Sequence, residues 1–279
     1  MLAIAIALSS SVCWGVSDFV GGIQARRLSL LNLMLLSQAI GCACLIVLVA
    51  ARGSAPPHLV RLLPAVAAGI GGVAGLAAFY RALAIGTMSI VAPISATGVT
   101  VPVVVGIASG DRPAALQIAG ILAAVAGVAL ASRERSAGSE RQIARASLGL
   151  ALLAALGFGG YFVGMRSSAR ADVLWALLAA RGAGVIALLL VIGVRREAVG
   201  AGRDALGALV AIGVLDLAAN GLYAIASRHG ALSEVAVAAS LYPVATVLLA
   251  RALLGERVRR VQEVGILAAI AGVILIAAG

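Results

Sequence analysis

Charged residues are scarce in this chain. Acidic and basic side chains make up 11% of its 279 residues, against about a quarter in an average soluble domain. A soluble globule of this length needs a far more polar surface. The scarcity therefore excludes a soluble enzyme, a disordered protein and a nucleic-acid-binding domain.

Residues that carry metal and nucleophilic chemistry are also few. Lysine is absent, and the chain has only two histidines and three cysteines. The cysteines (Cys13, Cys42 and Cys44) lie inside apolar runs at spacings that fit neither a disulfide framework nor a metal site. There is no HExxH motif or P-loop, and the stretch Gly213–Asp216 lacks the second glycine of an intramembrane aspartyl protease motif. We therefore expect no enzyme activity, no metal and no cofactor.

Apolar sequence fills the chain instead. Hydrophobic residues make up 62% of it, and the mean hydropathy is +1.12. A membrane-spanning helix needs about 20 apolar residues. The polar breaks separate ten such segments: 2–23, 30–51, 62–84, 88–109, 114–132, 147–165, 173–194, 205–227, 235–254 and 263–278. The sequence thus predicts an all-α integral membrane protein with ten transmembrane helices.

The longest polar break divides the chain almost in half. The first half closes with GDRPAALQIAGILAAVAGVAL from Gly110, and the second closes with GERVRRVQEVGILAAIAGVIL from Gly255, at an offset of 145 positions. Each half holds five helices, an odd number, so the second half enters the membrane inverted relative to the first. We predict two inverted five-helix repeats, 1–132 and 147–279, joined by a linker at 133–146.

Aromatic–glycine pairs in the first helix of each repeat, together with the closing motifs, give the chain a family likeness. The pairs are Trp14-Gly15 and Phe158-Gly159. With proline in helices 4 and 9, this pattern resembles the drug/metabolite transporter superfamily, and more narrowly its ten-helix EamA-type exporters. The sequence departs from the family at Asp111, where glutamate is usual, and in the register of its prolines (Pro93, Pro102 and Pro243).

The resemblance implies an alternating-access secondary transporter in the cell inner membrane. It would export small metabolites, with amino acids as the favoured substrates. A multidrug or nucleotide-sugar carrier is the alternative within transport, and a non-transporting membrane scaffold subunit is the alternative from another class. The expected partners are a small-molecule substrate and the lipid bilayer, without nucleic acid. A monomer is expected, with a dimer left open.

The net charge of +10 bears on the orientation of the chain in the membrane. Of the 21 arginines, 14 lie on one predicted side of the membrane and 6 on the other, with Arg181 inside a helix. The positive-inside rule then places both termini outside, whereas the family resemblance implies cytoplasmic termini. Both orientations stay open.

Ionisable groups at membrane depth are costly and usually face a cavity or a partner. Asp18 shares a helix face with Trp14, and Asp216 shares one with Asn220 and Tyr223. Hydroxyls beside proline add a polar stripe in helix 4 and another near Pro243. Candidate substrate-binding residues are Trp14, Asp18, Tyr80, Ser89, Pro93, Thr97, Tyr161, Asp216, Asn220, Tyr223, Ser240 and Tyr242, with Arg181 and Arg81 as structural or coupling charges.

Each candidate also has a structural interpretation. Arg181 and Asp216 would form a pair that only neutralises charge. Arg81 would extend to the lipid headgroups, and the tyrosines would belong to an interfacial aromatic belt. The prolines would only kink their helices.

Overall fold

A computed structural model describes residues 2–108, 114–131, 139–169, 171–229, 239, 241–257 and 259–278. The described residues form helices joined by short turns, with no strand among them. The helices are α1 (Leu2–Gln24), α2 (Leu30–Arg52), α3 (Leu59–Ile85), α4 (Met88–Ala96), α5 (Thr100–Ala108), α6 (Ala115–Ala131), α7 (Ser139–Ala169), α8 (Val173–Arg195), α9 (Arg203–His229), α10 (Tyr242–Leu254) and α11 (Arg260–Ala278). Because α4 and α5 share one predicted segment, these helices match the ten predicted spans.

The outer surface suits a lipid environment. Six helices are long and apolar enough to cross a membrane over the described residues, in α1, α2, α3, α7, α8 and α9, and α6 and α10 contain shorter apolar stretches. Large apolar side chains such as Leu122, Leu190 and Val194 are 65%, 66% and 86% exposed. Such exposure would be unfavourable in water and is normal against lipid tails.

The helix packing reveals a pseudo-two-fold relation between the two halves. Helix α1 packs on α9, and its repeat mate α7 packs on α3. The same exchange relates the α2–α9 contact to α8–α3, and the α1–α10 contact to α7–α4. Two further contacts join repeat mates directly, α2 with α8 and α6 with α11. This pattern confirms the predicted pair of inverted five-helix repeats.

The crossing of α6 and α11 shows the symmetry at the level of single residues. A Cβ atom added to Gly127 would lie 2.7 Å from the Gly265 carbonyl oxygen, and one added to Gly272 would lie 2.7 Å from that of Gly120. The offset of 145 relates Gly127 to Gly272 and Gly120 to Gly265, so the two contacts are equivalent by the repeat symmetry. Glycine therefore lets the two backbones approach closely at equivalent points.

Most helix ends lie within three residues of their predicted bounds, and residues 235–238 at the start of the ninth predicted span lie outside the described residues. Two larger differences have a local cause. Helix α7 begins at Ser139, inside the predicted linker and upstream of the predicted span 147–165. The additional residues include Arg141 and Arg145, which favour a helix but fall outside an apolar window. The predicted span 88–109 is interrupted by a 3₁₀ turn at Thr97–Val99. Proline at 102 has no N–H to donate to the carbonyl of residue 98, which favours a break at this point.

Charged residues from both halves hold the turn between α3 and α4. The Glu256 carboxylate accepts hydrogen bonds from the amides of Met88 (3.0 Å) and Ser89 (2.9 Å), the first residues of α4. Arg26 donates to the Leu83 carbonyl in the last turn of α3, at 3.1 Å, and lies 3.9 Å from Glu256. We call Arg26 and Glu256 the turn clamp.

The backbone next to the clamp explains the glycine of the second closing motif. Gly255 has φ 65°, in the left-handed region, and it ends α10 directly before Glu256. Glycine adopts this conformation without the steric cost that a Cβ atom adds. The turn therefore directs the carboxylate away from its own helix and towards α4.

Candidate functional site

A cavity of about 160 Å³ lies between the two halves. Helices α1 and α9 form one side, α3 and α7 form the opposite side, and α2 and α8 form the base. These are the pairs that the pseudo-two-fold relation exchanges. The cavity therefore lies at the repeat interface, where transporters built from inverted repeats place their substrate site.

The side formed by α1 and α9 is polar, and we call it the polar wall. It presents Trp14 and Asp18 from α1, and Asp216 and Asn220 from α9, with Tyr242 from α10 beside them. The Trp14 ring lies 6.2 Å from the Tyr242 ring, centroid to centroid. Carboxylates, an amide and aromatic rings thus meet in one small volume.

Hydrogen bonds between helices fix the polar wall. The hydroxyl of Ser10 donates to the Ala219 carbonyl at 2.7 Å, and that of Ser17 donates to the Ile212 carbonyl at 3.2 Å. Both serines are buried on α1, two turns apart, and both acceptors lie on α9. These bonds hold the two helices in a fixed register, so the polar side chains between them keep their places.

The side formed by α3 and α7 is apolar, and we call it the aromatic wall. Helix α7 contributes Phe158, Tyr161 and Phe162. Helix α3 contributes small and aliphatic residues: Gly69, Gly72, Val73 and Leu76. A Cβ atom on Gly72 would lie 2.9 Å from the Tyr161 ring, so glycine there gives the ring its space.

An ion pair lies at the base of the cavity. Arg181 of α8 is paired with Asp216, and its second terminal nitrogen donates to the Gln38 side-chain oxygen at 3.0 Å. The Arg181 side chain is 9% exposed and that of Asp216 is 28% exposed. The pair thus neutralises charge, and the carboxylate keeps access to the cavity.

The aromatic–glycine pairs position both walls. A Cβ atom on Gly15 would lie 2.6 Å from the Tyr242 carbonyl oxygen, where α1 meets α10. A Cβ atom on its repeat mate Gly159 would clash with the Gly98 carbonyl oxygen, at the break between α4 and α5. Each glycine lets its helix approach the other half closely, and this approach brings Trp14 and Phe158 to the cavity.

The structure brings seven of the predicted site residues together: Trp14, Asp18, Tyr161, Arg181, Asp216, Asn220 and Tyr242. Other candidates lie apart from the described lining. Tyr80 is buried at 3% exposure against Gly21, and Arg81 is exposed. Tyr223 is not part of this lining, but its ring contacts that of Trp14, with the two centroids 6.0 Å apart.

The predicted hydroxyl stripe of helix 4 also lies apart from the cavity lining. Ser89 and Pro93 are buried, and the Thr97 hydroxyl donates to the Ile94 carbonyl of its own helix at 2.6 Å. Ser240 lies outside the described residues. The prolines of α4 and α5 therefore affect the path of the helix and do not expose polar groups to the described cavity.

The lining residues that sequence reasoning missed include Gln38, Phe158 and Phe162, besides small and aliphatic residues of α3 and α8. One signal was present for Gln38, which precedes Arg181 by 143 positions, the offset that relates Tyr80 to Tyr223. The phenylalanines carry no such signal, because an apolar side chain in an apolar helix is unremarkable until its neighbours are known.

A second depression, of about 530 Å³, lies on the surface beside residues 56–60. It is lined by one short loop with His58 as its only titratable side chain. Binding sites usually gather several polar groups from different elements. The interhelical cavity is therefore the stronger candidate, although it is smaller.

Comparison with known proteins agrees with this architecture. The model of the EamA-like transporter family matches residues 1–133 and 145–278. The chain belongs to the EamA-like transporter family. The resemblance deduced from the closing motifs is thereby confirmed, and the protein is a multi-pass membrane transporter of the drug/metabolite superfamily, with a small-molecule substrate.

Among solved structures, one described only as the crystal structure of a protein has a TM-score of 0.65 to this EamA-like chain. The match covers 98% of this chain and 95% of the other, at 19% sequence identity. At this identity the likeness concerns the fold alone. No curated protein matches the chain.

Proposed function

We propose that this protein is an alternating-access secondary transporter that exports small metabolites, with amino acids as the favoured substrates, from the cell across the inner membrane. The observation that supports this most is the cavity between the inverted repeats, where titratable groups line a space inside an apolar molecule. Rocking of one repeat against the other would open such a site to either face in turn. In this proposal the protein acts as a monomer, with neither enzyme activity nor a cofactor.

The size of the cavity favours a small metabolite over a drug. Its volume is about 160 Å³, whereas pockets for drug-sized ligands measure about 300–1,000 Å³. This argues against the alternative of a multidrug or nucleotide-sugar carrier.

We assign substrate contact to Trp14, Asp18, Tyr161, Asp216, Asn220 and Tyr242. The carboxylates would attract an ammonium group, and the aromatic rings would surround its apolar neighbours. A scaffold subunit that transports nothing would need neither of these features at membrane depth.

Flux measurements in proteoliposomes would test the proposal. Wild-type protein should move at least one amino acid from a panel of small, aliphatic, aromatic and basic types, with and without a proton gradient. Leu76→Trp, which adds bulk to the cavity wall, should reduce that flux at least tenfold. Leu122→Trp, on the lipid-facing side of α6, is the matched control and should leave the flux unchanged.

Two outcomes would contradict the proposal. One is an absence of flux for every member of a broad metabolite panel. The other is an unchanged flux in folded Leu76→Trp protein, which would remove the cavity from the transport path. Selective movement of amphipathic cations such as ethidium, without amino-acid flux, would support the multidrug alternative.

A further inference from the structure

The two walls of the cavity are repeat mates that differ in chemistry. Asp18 follows Trp14 by four residues, and Phe162 follows Phe158 by four, so Asp18 and Phe162 are equivalent positions on α1 and α7. On the other helix of each wall, Asp216 and Asn220 correspond to Gly72 and Leu76 at an offset of 144. At the offset of 143 that relates Tyr80 to Tyr223 they correspond to Val73 and Ala77, which are equally apolar. The backbone is related by symmetry, and the side chains are polar on one wall and apolar on the other.

One carboxylate of the polar wall is paired with no cation among the described residues. Asp216 is paired with Arg181, whereas Asp18 has neither an ion pair nor a hydrogen bond among the residues that the structure describes. It lies six residues from the end of α1, which places it about 9 Å along the helix axis from that end. An ionised carboxylate at such a depth is stable only when a cation accompanies it.

Aromatic faces accompany this carboxylate. The ring of Trp14, one turn before Asp18, lies 6.2 Å from the Tyr242 ring, and both aromatic residues line the cavity together with Asp18. Indole and phenol faces attract cations within about 6 Å of the ring centroid. The environment of Asp18 therefore combines two features that bind an ammonium group.

We infer that the cavity binds small amines with an apolar side group, in one orientation, with the ammonium at Asp18 and the apolar group against Phe158 and Phe162. This inference rests on the proposed transport function and specifies its substrate class. Amino acids with apolar side chains belong to the class, and so do the same compounds without a carboxylate. The carboxylate contributes little in this arrangement, because Asp216 already balances the charge of Arg181.

A matched ligand series tests the ammonium requirement on the unmodified protein. 2-Phenylethylamine, 2-phenylethanol and 3-phenylpropionate share an aromatic group and differ in charge. We expect the amine to bind at least tenfold more tightly than the alcohol, and the acid not to compete with it. Equal affinity for the amine and the alcohol, or tighter binding of the acid, would overturn the inference without any variant.

Two variants then locate each end of the ligand. Asp18→Asn should reduce the preference for the amine over the alcohol to less than twofold. Phe162→Ala should weaken binding of 2-phenylethylamine severalfold and leave that preference intact. Glu263→Gln, which removes a carboxylate at the surface end of α11, is the control and should bind like wild type.

Binding is followed by the ligand-induced rise in thermal stability of purified protein, and flux is measured separately in proteoliposomes. If the preference for the amine survives in Asp18→Asn, or is lost in Phe162→Ala, the assigned orientation is wrong. Flux of neutral or anionic substrates, without flux of any substrate that carries an ammonium group, would refute the substrate class and leave the transport function standing. Absence of all flux would refute the transport function itself.

Discussion

Arg181 is a buried cation that three helices share. It pairs with Asp216 on α9 and donates to Gln38 on α2, while its own backbone belongs to α8. A buried ion pair adds little net stability compared with an apolar pair of similar shape, but removal of one partner leaves the other uncompensated. Replacing one partner of the pair should therefore cost more stability than replacing both.

Arg181→Met should lower the stability of the folded protein, because it leaves Asp216 unpaired at the base of the cavity. We expect a loss of about 3 kcal/mol, the low end of the usual range of about 3–5 kcal/mol, since Asp216 keeps some access to the cavity. The double variant Arg181→Met/Asp216→Leu should recover most of this loss. Thermal unfolding in detergent measures both, and a double variant as unstable as the single one would contradict the argument.

Scarcity explains which site residues the sequence could reveal. Asp18, Arg181 and Asp216 were predictable because few ionisable groups interrupt the apolar helices. The functional assignment of these residues stays a prediction. Tyr80 was not predictable in this way, because a tyrosine in a helix can face either a cavity or the core, and here it packs against Gly21. Packing partners on other helices decide such cases, and their identity depends on the three-dimensional arrangement.

At the scale of single elements, α4 depends on the other half of the molecule for its N-terminal cap. Its own N-cap residue, Thr87, makes no side-chain capping bond. Glu256, from the connection between α10 and α11, takes that role with both carboxylate oxygens. A negative charge at a helix N-terminus also interacts favourably with the helix dipole.

Glu256→Gln should weaken this cap, because an amide side chain offers one acceptor oxygen to two backbone amides. The expected loss is about 1 kcal/mol, within the range of about 0.5–2 kcal/mol for removal of a helix cap. Amide hydrogen exchange in the first turn of α4 should accelerate as well. The control Glu263→Gln breaks only a half-exposed pair with Arg251 and should leave that exchange unchanged. Unaltered exchange in Glu256→Gln would contradict the role of the cap.

Helix boundaries were predictable where the helix has to cross lipid, and less predictable elsewhere. A spanning helix must satisfy its backbone polar groups internally across the hydrocarbon, so apolar length locates it well. The first residues of α7 precede the apolar run, and hydropathy does not predict whether such polar residues are helical. The break between α4 and α5 depends on local backbone geometry, which an apolar window averages away.

At the scale of the whole molecule, repeat symmetry predicts matched responses to matched substitutions. Gly127→Ala and Gly272→Ala each place a methyl group against the backbone of the partner helix. Each should lower stability by a similar amount, about 1–3 kcal/mol, which is the usual cost of overpacking. Thermal unfolding of the two variants side by side measures this.

Gly149→Ala is the control for these variants, since no atom lies within 4 Å of its added Cβ atom. It should leave stability unchanged or raise it by up to about 1 kcal/mol, because alanine favours a helix interior over glycine. Strongly unequal losses at Gly127 and Gly272 would show that the two sides of the α6–α11 crossing are not energetically equivalent.

The difference between the two walls also bears on why both repeats lie in one chain. A homodimer of identical five-helix subunits has to present the same side chain at both symmetric positions. It would offer two carboxylates at the positions of Asp18 and Phe162, or none. Covalent fusion of a duplicated unit frees each copy to diverge, so one copy can supply charge while the other supplies aromatic rings. A cavity that distinguishes the two ends of its ligand is thus available to the fused chain and not to a symmetric homodimer.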